Sequence, residues 1–359
     1  MGTRSMRFGC HLVTYGSVEQ TVRYAVLAEK CGFDTVTVPD HLFHPLTRVF
    51  LKKPPWEAFT VIAVIASNTT RIRMMPAVAD SVRRHPALLA HTVATLDHIS
   101  GGRISLGMGV GEAYNIVPLR DVKWDRPYTR FEEALSLVKA LWSSTKERPT
   151  NFDGDYFKLR QAYQSFKPLQ KPHPPIYIGG YGPKMRLLTG AEGNGWLPWI
   201  HAPETYAKDL KLIVESAKRS GRSVEEIETA VITPTLVLSD PDKAWELATP
   251  RNRVGLALRA SLLKKMGYSK LAKKATHLWS IAFTDKQIEQ VMKVAEEIPL
   301  EAVKKVTAAG TADDAIQQID NYLKAGVSHF IAQPLIENFE ETTTAYRDKI
   351  IPYFKELGR

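Results

Sequence analysis

Two acids and a histidine stand where apolar runs stop. "TVTVPDH" ends in Asp40-His41, and "ISLGMGVGEAYN" runs through Val110 and Gly111 to Glu112, with Ala113 and Asn115 just beyond. A carboxylic acid and an imidazole at strand ends can hold or pass a proton near neutral pH. The simpler reading of Asp40-His41 is a turn cap beside a surface histidine. A third stretch, "PPIYIGGYGPKM", sets Gly179, Gly180, Tyr181 and Gly182 ahead of Pro183. Proline suits the first helical position, and the free N–H groups of a helix start attract an anion. Proton transfer beside an anionic ligand is the chemistry these residue types support.

The alternating Gly107, Gly109 and Gly111 raise a dinucleotide-binding reading. That reading requires G-x-G-x-x-G opening a helix in the first βα unit, with an acid about 20 residues on. Here the run is G-x-G-x-G in the fourth unit, and the chain is expected to pass Pro118 without starting a helix directly. The glycines are better read as letting a flat ring or a phosphate approach the backbone, with Glu112 as a proton donor. His11 alternates with Gly9 and Val13 and so faces a barrel axis, where a lone histidine is more often a hydrogen-bonded core residue. Trp196 and Trp199 read as half core, Trp199 also as a pocket wall.

The elements that position these residues alternate strand and helix. Strands are expected at 7–15, 34–40, 71–80, 103–111, 174–182, 195–200, 228–240 and 329–335. Helices lie between them; the first starts at Ser17 with Gln20 as its capping-box partner and ends at Gly32. Asp153-Gly154 marks a surface hairpin. Residues 241–308 are helical and lysine-rich, too long for one crossover, and read as an insertion within a single barrel domain spanning 1–359, its lysines forming a solvated face. Eight βα units form either a closed (β/α)8 barrel or an open doubly wound sheet, and the count favours the barrel. In a barrel the chemistry sits at the C-terminal ends of the strands.

Composition bounds the rest. The 359 residues are 44% hydrophobic and 24% charged, enough for a full core. Two cysteines, Cys10 and Cys31, without metal-ligand spacing suggest a reducing cytoplasm and no metal. No apolar run reaches membrane-spanning length and no secretory leader is legible, so a cytoplasmic protein is expected. The net charge of +10 is dispersed, which argues against nucleic acid and for an acidic small-molecule partner.

"TVPDH", "RRHPALLAHTVATLDHISGGRISLGMGVGEAYN", "RFEEALSLVKALW", "FDGDYF" and "PPIYIGGYGPKMRLLTGAEGNGW" together resemble the luciferase-like barrel superfamily, in particular its coenzyme F420-dependent branch. The resemblance implies an oxidoreductase passing a hydride between the deazaflavin C5 and a carbonyl, imine or activated alkene. It implies a non-prolyl cis peptide at Ala77–Val78, with Ala79 following, behind the ring. Asp40 and His41 would contact the ring, and Val110, Gly111, Glu112, Ala113 and Asn115 would hold its polar edge and side chain. Gly179, Gly180, Tyr181 and Gly182 would cradle the phosphate, while Arg83, Arg84, Lys52 and Lys53 would suit the anionic tail. Glu112 or His41 would carry the proton, Asp40 would stand beside them, and His11 and Trp199 would face the substrate. A homodimer built on the early helices is also implied. The chain resembles the F420-dependent glucose-6-phosphate dehydrogenases, the methylenetetrahydromethanopterin reductases and the phthiodiolone ketoreductases. It carries Pro45 where the first group has tryptophan, and His11 where the second has glutamate. An FMN-dependent monooxygenase on the same barrel, and an F420-binding carrier or sensor without turnover, are the alternatives.

Overall fold

A computed structural model describes residues 6–12, 16–43, 56–280 and 284–358. Twelve strands are formed among them: β1 (Arg7–His11), β2 (Thr35–Val38), β3 (Arg73–Pro76), β4 (Ala79–Asp80), β5 (Leu106–Gly109), β6 (Thr150–Asp153), β7 (Lys158–Ala162), β8 (Ile176–Ile178), β9 (Gly195–Trp196), β10 (Glu228–Val237), β11 (Ala308–Gly310) and β12 (His329–Pro334). The main sheet is parallel in the order β3-β2-β1-β12-β10-β9-β8-β5-β4. A parallel bridge from Met74 in β3 to Ile104, two residues before β5, brings the ends of the sheet together. The result is a parallel (β/α)8 barrel. Residues 13–15, which the sequence assigns to the first strand, lie outside the described residues.

The composition of the strands explains the closure. Thr35, Val36, Thr37 and Val38 are all buried, as β-branched residues covered on both faces should be. Inside the barrel, Met75, Tyr177, Leu197, Ala230, Ile232 and Ile331 pack together, with Ala77, Val78 and Trp199 against them. A larger layer, including Phe8, Ile62, Leu106 and Phe330, fills the space between strands and surrounding helices.

Several local expectations are corrected. The third strand does not run unbroken: β3 and β4 are separated at Ala77–Val78, whose peptide bond is cis. The Ser17 hydroxyl caps the first helix by accepting from the Gln20 N–H at 3.1 Å, but the Gln20 amide turns away and donates to the Tyr24 hydroxyl, so the capping box is left half made. A one-turn helix, Ala113–Ile116, starts directly after Glu112, because all four of its residues are buried against neighbouring elements. Among the described residues, five α-helices stand between β10 and β11, from Pro241–Ala257 to Leu300–Lys304. They share a separate apolar cluster, including Leu258, Leu262, Val294 and Ile298, that takes in Tyr114 and Ile200 from the barrel's strand ends. β11, unmarked in the sequence, extends the sheet by pairing Ala308–Gly310 with Thr235–Val237. The lysines there are not all a solvated face: Lys265 reaches the buried Asp209 carboxylate at 2.6 Å.

The glycines of the fourth strand have a packing reason. A Cβ at Gly107 would collide with the Pro76 carbonyl oxygen, and one at Gly109 would lie 2.8 Å from a Val78 methyl. Gly179 approaches the same valine from β8, where a Cβ would sit 3.0 Å away. These three glycines make room for the β3–β4 break, where the sequence reading gave the space at Gly107 and Gly109 to a ligand. Gly107→Ala should therefore cost about 1–3 kcal/mol of stability, since the obstacle is backbone. Gly182→Ala, at φ −75° with no atom within 4 Å of a new Cβ, should cost less than about 1 kcal/mol. Chemical denaturation of the two variants checks the contrast.

Candidate active site

β2, β4 and β5 end side by side at one mouth of the barrel, and their last residues form a connected polar group. Asp40 is buried, and its carboxylate accepts from Arg83 at 3.1 Å and from Arg84 at 3.0 Å. Arg83 also pairs with Asp80 at 2.6 Å and donates to the Asp40 carbonyl oxygen at 2.6 Å. Arg84 continues to Glu57 at 2.5 Å and lies over the Phe59 ring. Asp40, Arg83 and Arg84 thus satisfy one another. A ligand entering here meets Asp40 already held by two guanidinium groups, and Arg83 and Arg84 already paired with carboxylates. Lys52, Lys53 and Pro45 lie outside the described residues.

His41 and Glu112 meet beside this network, with His41 Nδ1 3.5 Å from Glu112 Oε2. Asn115 sets the proton positions. Its side-chain oxygen accepts from the Leu42 and Phe43 N–H groups, at 2.9 and 3.0 Å, so its NH2 must face the other way. That NH2 reaches His41 Nδ1 at 3.1 Å and Glu112 Oε2 at 3.3 Å. Nδ1 is therefore an acceptor, and the imidazole carries its hydrogen on Nε2. The Tyr114 hydroxyl also reaches Nδ1, at 2.9 Å.

Burial moves both titrations. Loss of water around Glu112 raises its carboxyl from 4.5 to about 7, aided by the nearby Asp80 charge and opposed by Tyr114, Arg83 and Asn115. Desolvation, joined by the Arg83 charge, lowers His41 from 6.5 to about 4 despite Asp40. Near neutral pH the histidine is therefore neutral and the acid is half protonated, so their contact is not an ion pair. Gly111 serves this geometry, since its φ of +89° and the closeness of Ile116 and Asp80 admit no side chain.

The remaining expected residues line the same mouth or sit below it. His11 is buried, with Nδ1 2.7 Å from the Thr37 hydroxyl; burial, with His41 and Arg251 nearby, lowers it to about 3, so it stays neutral. Ala77 and Val78 belong to the apolar interior, and Ala79 is buried in β4. Val110 is partly buried against the outer core, and Ala113 opens the one-turn helix. At the end of β8, Gly182 precedes Pro183 and the helix Pro183–Glu192. Tyr181 in this turn accepts from the Trp199 N–H at 3.1 Å and donates to the Trp199 carbonyl at 2.9 Å, so its hydroxyl fixes the next strand end. The Trp199 indole donates to the Gln333 side chain at 2.8 Å.

Two participants carried no signal in the sequence reading. Tyr114 reads as one more aromatic beside the glycine run. Arg259 lies in the lysine-rich segment, yet it is 6% exposed, with its guanidinium 3.5 Å from the Tyr181 ring centre and bonded to the Trp199 carbonyl. A buried arginine stacked on a tyrosine is one of the stronger cation–π arrangements. It ties the 241–308 segment to the turn that follows β8. No cluster of His, Cys, Asp and Glu able to hold a metal ion occurs among the described residues.

The chain is similar to known proteins along nearly its whole length. The chain is 29% identical over 344 residues to an F420-dependent glucose-6-phosphate dehydrogenase of Amycolatopsis mediterranei, covering 94% of this chain and 95% of the relative. It is 28% identical over 355 residues to a 5,10-methylenetetrahydromethanopterin reductase of Archaeoglobus fulgidus, covering 98% and 100%. Among solved structures, an F420-dependent secondary alcohol dehydrogenase in complex with an F420–acetone adduct superposes with a TM-score of 0.79 at 25% identity, over 98% of this chain and 99% of that one. Residues 4–329 match the family described as luciferase-like monooxygenase. With that match spanning most of its length, the chain belongs to the luciferase-like monooxygenase family.

Proposed function

We propose that this oxidoreductase uses coenzyme F420 and exchanges a hydride with a carbon electrophile of the carbonyl, imine or methylene-pterin type. The observation that carries the reading is Glu112: a carboxyl raised to about 7, at a barrel strand end, bonded through Asn115 to a neutral histidine. A group that titrates near the operating pH is suited to moving a proton. The F420-dependent relatives, at 25–29% identity across nearly the whole chain, support the cofactor. The residues present fit it. The helix Pro183–Glu192 starts from open backbone at Gly182, suited to a phosphate, and the break at Ala77–Val78 gives the mouth an apolar floor suited to a flat ring.

Bound there, the deazaflavin supplies the hydride acceptor or donor. The chain supplies orientation and proton handling. Glu112 holds the proton that a reduced carbonyl oxygen gains, or accepts the one that an alcohol loses. His41, kept neutral, stands beside Glu112, while Asn115 holds both groups. Asp40 acts through Arg83 and Arg84 on the shape of the mouth. The segment 241–308 is an insertion in a single barrel domain, walling the mouth through Arg259 and Tyr114. The second reading, an FMN-dependent monooxygenase, draws on the description of the family itself.

Three outcomes test the proposal. Parallel fluorescence titrations should show saturable F420 binding with FMN ignored; tight FMN binding with F420 ignored would overturn it. Glu112→Gln should lower turnover of F420 with a carbonyl or alcohol substrate by about 10²–10⁴-fold while leaving F420 affinity little changed. In the wild type, the reduction rate should fall as pH rises through about 7, and the oxidation rate should rise, because the required form of Glu112 differs. The same shift has a stability consequence. A carboxyl whose folded value is raised from 4.5 to about 7 binds its proton better in the folded state, so stability declines as pH climbs through that window. Glu112→Gln should therefore be stabilised relative to wild type by up to about 3 kcal/mol more at pH 8 than at pH 4.5. Urea melts at the two pH values measure the difference.

A further inference from the structure

The opposite end of the barrel holds a second concave site. A cavity of about 630 Å³ opens there, and the arginines Arg7, Arg71, Arg73 and Arg103, together with Lys355 and one acid, Asp34, line it. Arg7, Arg73 and Arg103 come from the N-terminal ends of β1 and β3 and the approach to β5, while Lys355 comes from the last helix, Ile351–Leu357. Cations gathered around one hollow repel one another unless something of opposite charge enters it.

The fold neutralises only part of this charge. Arg7 pairs with Glu228 at 2.9 Å, and Arg71 lies against Glu29, donating to its carbonyl oxygen at 2.6 Å. Arg73 donates to the neutral Gln170 side-chain oxygen at 2.9 Å. Arg103 uses all its N–H groups on neutral acceptors: the carbonyls of Ser100, Ile72, Ala66 and Thr69, and the Thr69 hydroxyl. Arg103 is thus a fixed charge, its N–H groups all taken by neutral acceptors, with the Glu29 charge near it. Arg73 keeps N–H groups for a ligand, and Lys355 is exposed at the rim. Among the described residues, no carboxylate pairs with Arg73, Arg103 or Lys355.

We infer that this cavity at the N-terminal end of the barrel binds a small, multiply charged phosphate compound, at a site separate from the catalytic mouth. The volume falls within the range of roughly 300–1,000 Å³ typical of small-ligand sites. The charges come from several chain segments surrounding a hollow, an arrangement that suits a compact ligand rather than a flat macromolecular surface. A singly charged anion would leave part of the excess unanswered, whereas an oligophosphate presents several oxygens to arginine forks and to the lysine together. A ligand bound only by the folded chain also stabilises it by mass action, so occupancy is readable without any assay of turnover.

Calorimetric titration of the full-length protein with inorganic tripolyphosphate at low salt tests the inference, with thermal melting as a parallel readout. The expected result is saturable one-to-one binding, a rise in melting temperature with added tripolyphosphate, and weakening by sodium chloride. Arg73→Gln combined with Lys355→Glu should lower the association constant about tenfold or more, with melting in the absence of the probe close to wild type. Should the Arg73 change disturb the fold, Lys355→Glu alone alters an exposed residue and should still weaken binding. Absence of saturable binding, or binding by the folded variants equal to wild type, overturns the inference; the latter would assign the anion to the catalytic mouth instead.

Discussion

A guanidinium shared by two buried carboxylates holds the C-terminal mouth of the barrel together. Arg83 bridges Asp40 at the end of β2 and Asp80 at the end of β4, and Arg84 adds a second hold on Asp40. Removing one partner from such a network leaves a charge out of water with nothing to answer it, a cost of about 3–5 kcal/mol. The consequence is positional: with β2 and β4 locked together, His41 and the Gly111-Glu112 turn have one relative placement. It is also electrostatic, because the Arg83 charge helps to keep His41 neutral and tempers the rise of Glu112.

The packing under this network is equally constrained. Val78 projects where three strands converge, and Gly107, Gly109 and Gly179 are the residues that let them do so. A glycine pattern usually taken as a sign of ligand contact is, at these positions, a sign that backbone must pass close to a side chain. At Gly182, by contrast, a Cβ would meet no atom within 4 Å. The helical segment over the mouth joins the same structure through Arg259 on Tyr181, through Lys265 on Asp209, and through Tyr114, which belongs to the apolar cluster of that segment and also touches His41.

The two ends of the barrel divide the labour of charge. At the C-terminal mouth nearly every arginine is answered: Arg83 and Arg84 by carboxylates, Arg259 by a ring and a carbonyl. Burial raises one carboxyl there, Glu112, to about 7. At the N-terminal end the arginines keep an excess, with Arg103 bonded entirely to neutral groups. The net charge of +10 is therefore not an even coat, and part of it is gathered around one cavity.

Much of this was legible in the sequence. Alternating strand and helix patterns depend on near neighbours, so the parallel barrel, the hairpin at Asp153-Gly154 and the helical character of 241–308 could be read directly. The chemistry-bearing types were legible too, because Asp40-His41 and Gly111-Glu112 mark the ends of apolar runs. Tertiary structure alone decided how those groups behave. That Asp40 is taken up by two arginines, that Glu112 is raised and His41 lowered, and that Asn115 sets the imidazole tautomer all follow from contacts between residues some 40 to 75 positions apart in the chain. The same holds for β11, too short to announce itself and formed only because β10 offers a free edge, and for the cavity whose arginines come from separate strands. Residue type and spacing determine which groups can do chemistry, whereas burial and the charges brought close by folding determine which proton each one holds.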